Sequence, residues 1–501
     1  MSPRRRKRSL RMSSLSLYEQ QRLATIAGNH AKLVELGIEK DIAAIRSASV
    51  KTVRAVKGAA ANKRSKPEGP PPRQRSLRLQ NLDADGQELP DKDAQPSPTP
   101  EPVKKVRRTS APLDASKVTN GLTDPEEAAT FLGRLGPLLE MKTPGKTKKV
   151  KAEPKPVSLD LSSLGVDGDD IAKLVPERIF SMAVHPSSTK LLVAAGDTWG
   201  RVGLWDVDAG DDLPVVTFAP HDRPVAGMRM LANAPHQLIS CSHDGAVRCL
   251  DLGGGASASF VELYRCPEDS DGDYPTLHGL SRELGEGGAL AACRNDGAVV
   301  LLDPRTPGAN ASVLQLHEKK VFSVDFSPTR PWLLATGSLD RTVALWDVRA
   351  CGEKLAAGGK GKLKPLSVLE HGLSVTAARF SADGGRMLTT CNDNLLRVFE
   401  DGTGGGWAKP AGEPICAVKH NNNTGRYLTP FQAEWLPRSN DVFVCGSLGQ
   451  PRGLDVLRCD GAHMDRMEHD NISAVLSLVA CHPTLPVLVA ENASGKCFVW
   501  R

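Results

Sequence analysis

One register recurs seven times in the second two-thirds of the chain, and it constrains the fold more than any other feature. An apolar residue follows a turn residue by six positions: Trp199 leads to Trp205, Asp244 to Leu250, Asp296 to Leu302, Asp340 to Trp346, Asp393 to Phe399, Gln450 to Val456 and Ser494 to Trp500. The intervals between units are 45, 52, 44, 53, 57 and 44 residues. Each unit consists of short Val- and Leu-rich runs broken by Gly, Asp-Gly and His-Pro. A unit this small cannot bury its apolar face alone, so the units must stack on one another. Seven small antiparallel sheets closed into a ring satisfy this, and the chain is expected to be all-β, a seven-bladed propeller from about 156 to 501. The last unit ends at Trp500, one residue before Arg501, so its outer strand is expected from upstream, around Val157–Leu161, where apolar and polar residues alternate. Joining the ends in this way removes exposed sheet edges. The alternative is a six-blade ring with a loose extra unit.

The first 155 residues are of another kind. Residues 1–160 hold 32 Lys+Arg against 18 Asp+Glu, whereas the rest of the chain holds 32 against 40, so a basic arm precedes a mildly acidic body. From about Ala60 to Lys155 the chain is rich in Pro, Lys, Ser, Asp and Glu, which buries too little surface to offset its ordering entropy and reads as disordered linker. Between about 16 and 38, Leu17, Leu23, Ile26, Leu33, Val34 and Leu36 recur at helical spacing behind a Ser16–Glu19 capping box, which predicts a short amphipathic helix, transient or formed on a partner. Arg4–Arg8, Lys104–Arg108 and Lys146–Lys151 are basic clusters suited to nuclear import and to non-specific DNA contact. No run of about 20 apolar residues exists, and the Arg-rich first residues lead into no apolar signal core, so neither a membrane span nor secretion is expected. The 11 cysteines include no C-x-x-C pair and read as small buried hydrophobes, not as a zinc site or a disulfide framework.

Catalytic signatures are wanting. Gly145-Lys146-Thr147 resembles the end of a phosphate-binding loop, but Glu140 stands where that loop needs Gly and no strand leads into it. There is no H-E-x-x-H and no G-x-S-x-G, so no enzyme activity, cofactor or metal is expected. The unit lengths match WD40 blades, and the fourth unit shows their polar signature, with His317 before the first strand, Ser338 and Asp340 at a turn, and Trp346-Asp347 at a strand end. His221, Ser242 and Asp244 repeat it in the second unit. Such residues tie loops to blades and are read as structural.

Several stretches go beyond a generic repeat. Val175–Ile179, Ala194–Asp197 with Gly203–Asp206, Leu316–Val321 and above all His420-Asn421-Asn422-Asn423-Thr424-Gly425-Arg426-Tyr427-Leu428-Thr429 resemble the WD-repeat DNA-damage-binding family, the "changed mutation rate" proteins and their vertebrate WD-repeat counterpart. Tyr18-Glu19, Arg22-Leu23, Leu36-Gly37 and Arg75–Leu79 are similar to its amino-terminal segments. The resemblance implies a nuclear, non-enzymatic protein that binds DNA with a preference for damaged duplex. Tyr427 departs from the expected Trp, and units two, three and six lack Trp at their strand ends.

Blade geometry sorts the basic residues. Loops before each first strand a and turns between strands b and c share one face, here called the top. Arg178, Arg223, Lys319 and Lys320 fall in the former, and Arg294, Arg341 and Arg452 at the latter, with Arg426 a further candidate in the Asn-rich motif. A ring of cations on an acidic body is the pattern that releases counterions from phosphates. A lesion that eases bending would then supply preference worth ~1–6 kcal/mol. On the other face, Asp303-Pro304-Arg305 and Trp346-Asp347-Val348-Arg349 resemble the box by which WD40 substrate receptors dock on the adaptor of a cullin-4 ubiquitin ligase. A third reading, a chromatin scaffold for histone tails, would use the same top face; an excess of Asp and Glu in the central channel would favour it over DNA.

Overall fold

The computed structural model describes residues 108–119, 121–139 and 164–501, apart from 211–213, 283–287, 307–310, 357–362, 403–406, 408–411 and 438. Seven antiparallel sheets form a propeller, and each has four strands except blade 2, which has five. The innermost strands a are Ile179–Val184, Val225–Met230, Leu277–Leu280, Val321–Phe326, Val375–Phe380, Glu434–Trp435 and Leu476–Cys481. Alternation in these strands sends side chains into the two flanking blades, so the apolar cores lie between neighbouring sheets. Trp205 and Trp346 fill two of them, and Trp500 sits with Phe498 between blades 6 and 7. The expected helix over 16–38 lies outside the described residues.

Closure follows the expected logic with a different strand. Ile171–Lys173 pairs antiparallel with Lys496–Trp500, Ile171 opposite Phe498, and supplies the outer strand of blade 7. Val157–Leu161 lies outside the described residues and is not that strand. What selects 171–173 is a clamp on both sides. Gly165 and Arg501 exchange two backbone hydrogen bonds of 3.2 and 3.1 Å, and Leu174 N–H donates to the Gly495 carbonyl at 2.9 Å. The Arg501 guanidinium then pairs with Asp170 and Asp208, each at 2.8 Å.

The polar signature forms, with one change. His221 bridges Asp244 at 2.9 Å and Ser240 at 2.9 Å, and His317 bridges Asp340 at 2.6 Å and Thr336 at 2.7 Å. Trp346 Nε1 donates to the same Thr336 hydroxyl at 2.8 Å. The hydroxyl in each set therefore comes from two residues before Ser242 and Ser338. Those serines instead donate to the carbonyls of Arg223 and Lys320, both at 3.0 Å, and hold the loop that enters strand a.

The linker read from composition over 60–155 does not hold for 108–139, which folds onto blades 1 and 2. Leu113–Asp114 pairs with Phe260 and Ser259 as the fifth strand of blade 2. Helix α1 (Pro125–Leu139) follows. The side chain of Asp124 caps it by accepting from the Glu126 N–H at 2.9 Å, Pro125 occupies the first turn, and Glu126 and Glu127 face the positive end of the helix dipole. Ala128, Phe131, Leu132 and Leu135 are buried in one cluster with Phe218, Leu250, Leu252 and Phe260. Each large side chain so buried contributes about 1.5–3 kcal/mol. Arg108 fixes the start of the segment: its backbone N–H and its Nε donate to Asp222 at 3.1 and 2.7 Å, and its carbonyl accepts from Arg265 at 2.9 Å.

Candidate nucleic-acid interface

Strand a is irregular at the same place in six blades. Its pairing with strand b skips one residue, the second of the strand: Phe180, Ala226, His278, Phe322, Thr376 and Ser477. A bulge of this kind re-aims a side chain out of the ladder. In blades 1 to 4 the released side chains line the central channel at its top mouth. Phe180 meets His243 edge-on at 5.6 Å between ring centres, His243 lies 4.2 Å from His278, and His278 is 6.4 Å from Phe322. Blade 2 offers only the small Ala226, and His243 from its b–c turn occupies the room. Burial, reinforced by Lys320, holds His243 down to about 4; burial, with His243 and Lys320 adding, holds His278 down to about 2. Both rings are therefore neutral at neutral pH.

Cations flank this arc. The Arg178 guanidinium lies 5.9 Å from the Phe180 ring centre and the Lys320 ammonium 4.4 Å from that of Phe322. Burial pulls both below their usual values, with Glu491 opposing it at Arg178 and Cys293 at Lys320. Arg223 is half-buried and acts on His243 through its charge.

The other half of the mouth is covered. The chain between blades 5 and 6, residues 420–433, reaches from blade 5 to blade 1. Thr429 Oγ1 donates to the Ile179 carbonyl at 2.6 Å, and Arg178 Nη1 donates to the Arg426 carbonyl at 3.1 Å. Thr376, the bulge residue of blade 5, anchors the other end by donating to the Phe431 carbonyl at 2.9 Å. The Asn-rich motif shapes the departure: Asn422 binds His420 Nδ1 at 2.6 Å and the Cys391 carbonyl at 2.8 Å. Arg426 and Tyr427 are left outside, Tyr427 at 83% exposure, and Trp199 at the b–c turn of blade 1 is 65% exposed on the same face.

The sequence-selected cations divide. Arg178, Arg223, Lys320 and Arg426 gather about the open mouth, and Lys319 and Arg341 are exposed farther out on the same face. Arg341 sits at φ 76° in its turn. Arg294 does not join them. It is 8% exposed and its guanidinium is paired with Asp296, to which Nε donates at 3.1 Å, so its charge is spent within its own turn. Arg452 is likewise held, donating to the Leu448 and Gly449 carbonyls of its turn.

A family profile described as "WD domain, G-beta repeat" matches residues 308–347 and 363–400. WD repeat-containing protein 76 of Xenopus laevis is 33% identical over 503 residues, 98% of this chain and 81% of that protein. DNA damage-binding protein CMR1 of Phaeosphaeria nodorum is 31% identical over 526 residues, 97% of this chain and 98% of that protein. The chain belongs to the WD-repeat family of these two proteins. The mouse protein 76 is 30% identical over 493 residues, 97% of this chain and 75% of that protein.

On the bottom face of this family member, the two D-x-R endings adopt one geometry. Asp303 accepts from the Arg305 backbone N–H at 3.0 Å and from its Nε at 2.9 Å, and Asp347 does the same for Arg349 at 3.0 and 3.0 Å. Both guanidinium groups are exposed, and that of Arg349 lies 4.5 Å from the Trp332 ring centre. Trp346 is 2% exposed within the blade 4 core, so it supports the turn from beneath and offers no docking surface. The channel bears on the histone reading. Arg229, Arg282 and Arg379 line it against Asp325 and Glu434, with Arg282 paired to Asp325 at 2.7 Å and Arg379 to Glu434 at 3.3 Å. Among the described residues the lining holds no excess of acid to attract a basic tail.

Sequence reasoning missed the aromatic arc and the mouth-covering loop. The signal for the arc was present: Phe180, His278 and Phe322 occupy equivalent positions one residue into strand a.

Proposed function

We propose that this chain is a nuclear, non-enzymatic protein that binds double-stranded DNA through the top face of its propeller and prefers damaged duplex, serving the DNA damage response. The observation that carries the reading is the gathering of Arg178, Arg223, Lys320 and Arg426 at one open mouth, beside the exposed rings of Trp199 and Tyr427. Cations release counterions from phosphates while exposed rings stack on unpaired bases, and damaged duplex offers both at lower deformation cost. The names of the CMR1 relatives support the same reading. The basic arm adds affinity without preference, because phosphates are alike in any sequence.

The test compares the full chain with residues 100–501 on intact and ultraviolet-damaged duplex at two salt concentrations. A cut at 100 keeps the docked segment, which a cut at 157 would remove. The shortened protein retains the damaged-to-intact ratio and loses part of the salt slope, whereas charge reversal at Arg223 and Lys320 weakens both DNAs. Loss of all binding with the arm refutes the reading.

A second reading, docking on a cullin-4 ligase adaptor, is favoured by the shared geometry of the two bottom-face turns with exposed Arg305 and Arg349. Arg305→Ala with Arg349→Ala then abolishes adaptor co-purification and leaves DNA binding intact.

A further inference from the structure

The open half of the channel mouth is built as a socket, and the geometry points to a single unstacked nucleobase as its occupant, seated on His243, His278 and Phe322 with its phosphates against Arg178 and Lys320. This inference rests on the DNA-binding reading and makes it specific. Three independent features support it. The bulges release ring side chains only in blades 1, 3 and 4, and blade 2 yields its place to His243, so the aromatic wall is continuous. The covering loop spans the side of the mouth where the bulge residues are Thr376 and Ser477, which leaves the aromatic side open. The channel that Phe180, His278 and Phe322 line has a cavity of about 390 Å³, within the range of small-ligand sites.

The charge pattern decides the class of ligand. Rings in an open cage attract cations, and a methylated lysine is the obvious competitor. Here the outermost rings, Phe180 and Phe322, already carry Arg178 and Lys320. Glu491, beside Arg178, is fully buried and its Oε1 accepts from the Leu478 backbone N–H at 3.2 Å, so it presents no face to a ligand at the mouth. A second cation would meet the like charge of Arg178 and Lys320, while the carboxylates of the channel lining, Asp325 and Glu434, are already paired with Arg282 and Arg379. A neutral planar base with anionic phosphates on either side meets stacking faces and two cations instead. Both imidazoles are held neutral, which keeps their faces available for stacking.

Easier bending and capture of a base make different demands, and one experiment separates them. Binding of the full chain is measured to four probes: a paired duplex, the same duplex with one bulged thymine, the same duplex with one bulged abasic nucleotide, and a trimethyl-lysine peptide. The two bulged duplexes share charge and flexibility and differ only in the base. Stacking is worth about 1–3 kcal/mol per base, so the bulged thymine binds about 5- to 150-fold more tightly than the bulged abasic site. Phe322→Leu and His278→Ala erase that ratio, and Phe322→Tyr keeps it. Phe322→Leu retains apolar volume, so unchanged thermal melting separates a lost socket from a lost fold.

Equal binding of thymine and abasic bulges overturns the inference while leaving DNA binding standing. Capture of the peptide in a Phe322-dependent manner overturns it in favour of a cation site. Absence of binding to all three duplexes removes both the inference and the function on which it rests.

Discussion

Removing the Phe131 ring is the sharpest test of the unexpected part of the fold. Phe131 is 0% exposed and sits with Leu132 and Leu135 of α1 against Phe218 and Phe260 of blades 1 and 2. Phe→Ala at such a site costs about 3–5 kcal/mol, from lost transfer energy and the cavity left behind. Phe131 is the largest of the three apolar side chains, with Leu132 and Leu135, that hold α1 to the blades. With its ring removed α1 leaves the propeller while the seven blades stay folded. The assay is limited trypsinolysis read by mass spectrometry, following cleavage at Lys117 and Arg134. Where reclosing is faster than cutting, cleavage tracks the open population, which rises by about two orders of magnitude or more. Thr130→Ala, on the exposed side of α1, serves as control and cleaves no faster than the parent. An unchanged rate for Phe131→Ala refutes the docking argument.

Two further outcomes follow from the blades themselves. Burial works against ionisation of Asp340, but hydrogen bonds from His317 and Thr342 win and hold its carboxyl down to about 2. A carboxyl lowered in the folded state stabilises fully above its unfolded value of about 3.9 and loses that contribution as pH falls toward the folded one. Asp340→Asn therefore melts at a lower temperature at neutral pH and shows a shallower acid limb between about pH 4 and pH 2; an unchanged acid limb in thermal melts excludes this account. At Gly446 an added Cβ would lie 1.9 Å from the Leu476 carbonyl oxygen of the next blade. Gly446→Ala lowers stability by about 1–3 kcal/mol or more through forced separation of blades 6 and 7, seen as a lower urea midpoint.

The blade count was legible because a period near 45 residues outlasts variable loops, and the closing strand was expected because the register ends without it. Its location was not legible: Ile171-Ala172-Lys173 has no distinctive alternation, and the interactions that choose it, from Gly165, Asp170 and Arg501, are set only once the ring exists. Helix α1 was hidden by averaging. Its start, Asp124-Pro125-Glu126-Glu127, and its apolar face, Phe131, Leu132 and Leu135, are plain in a short window and vanish in the Pro- and Lys-rich hundred residues around them. The top-face cations were legible by position, whereas which of them are spent was not. Asp296 beside Arg294 is visible in sequence, but the carboxylate next to Arg341, Asp340, is bound to His317 and Thr342, and Arg341 is exposed.

The attachment of Arg108 to Asp222 also fixes where the preceding 107 residues set out. That point adjoins Arg223, on the rim of the top face, and those residues carry 23 Lys+Arg against 11 Asp+Glu. On the proposed function, DNA at that face would meet a second, Lys- and Arg-rich attachment on the same chain, at an effective concentration set by the length of chain between the two. Release would then need both attachments to fail together, and added salt, which loosens each, would shorten residence more steeply than either alone.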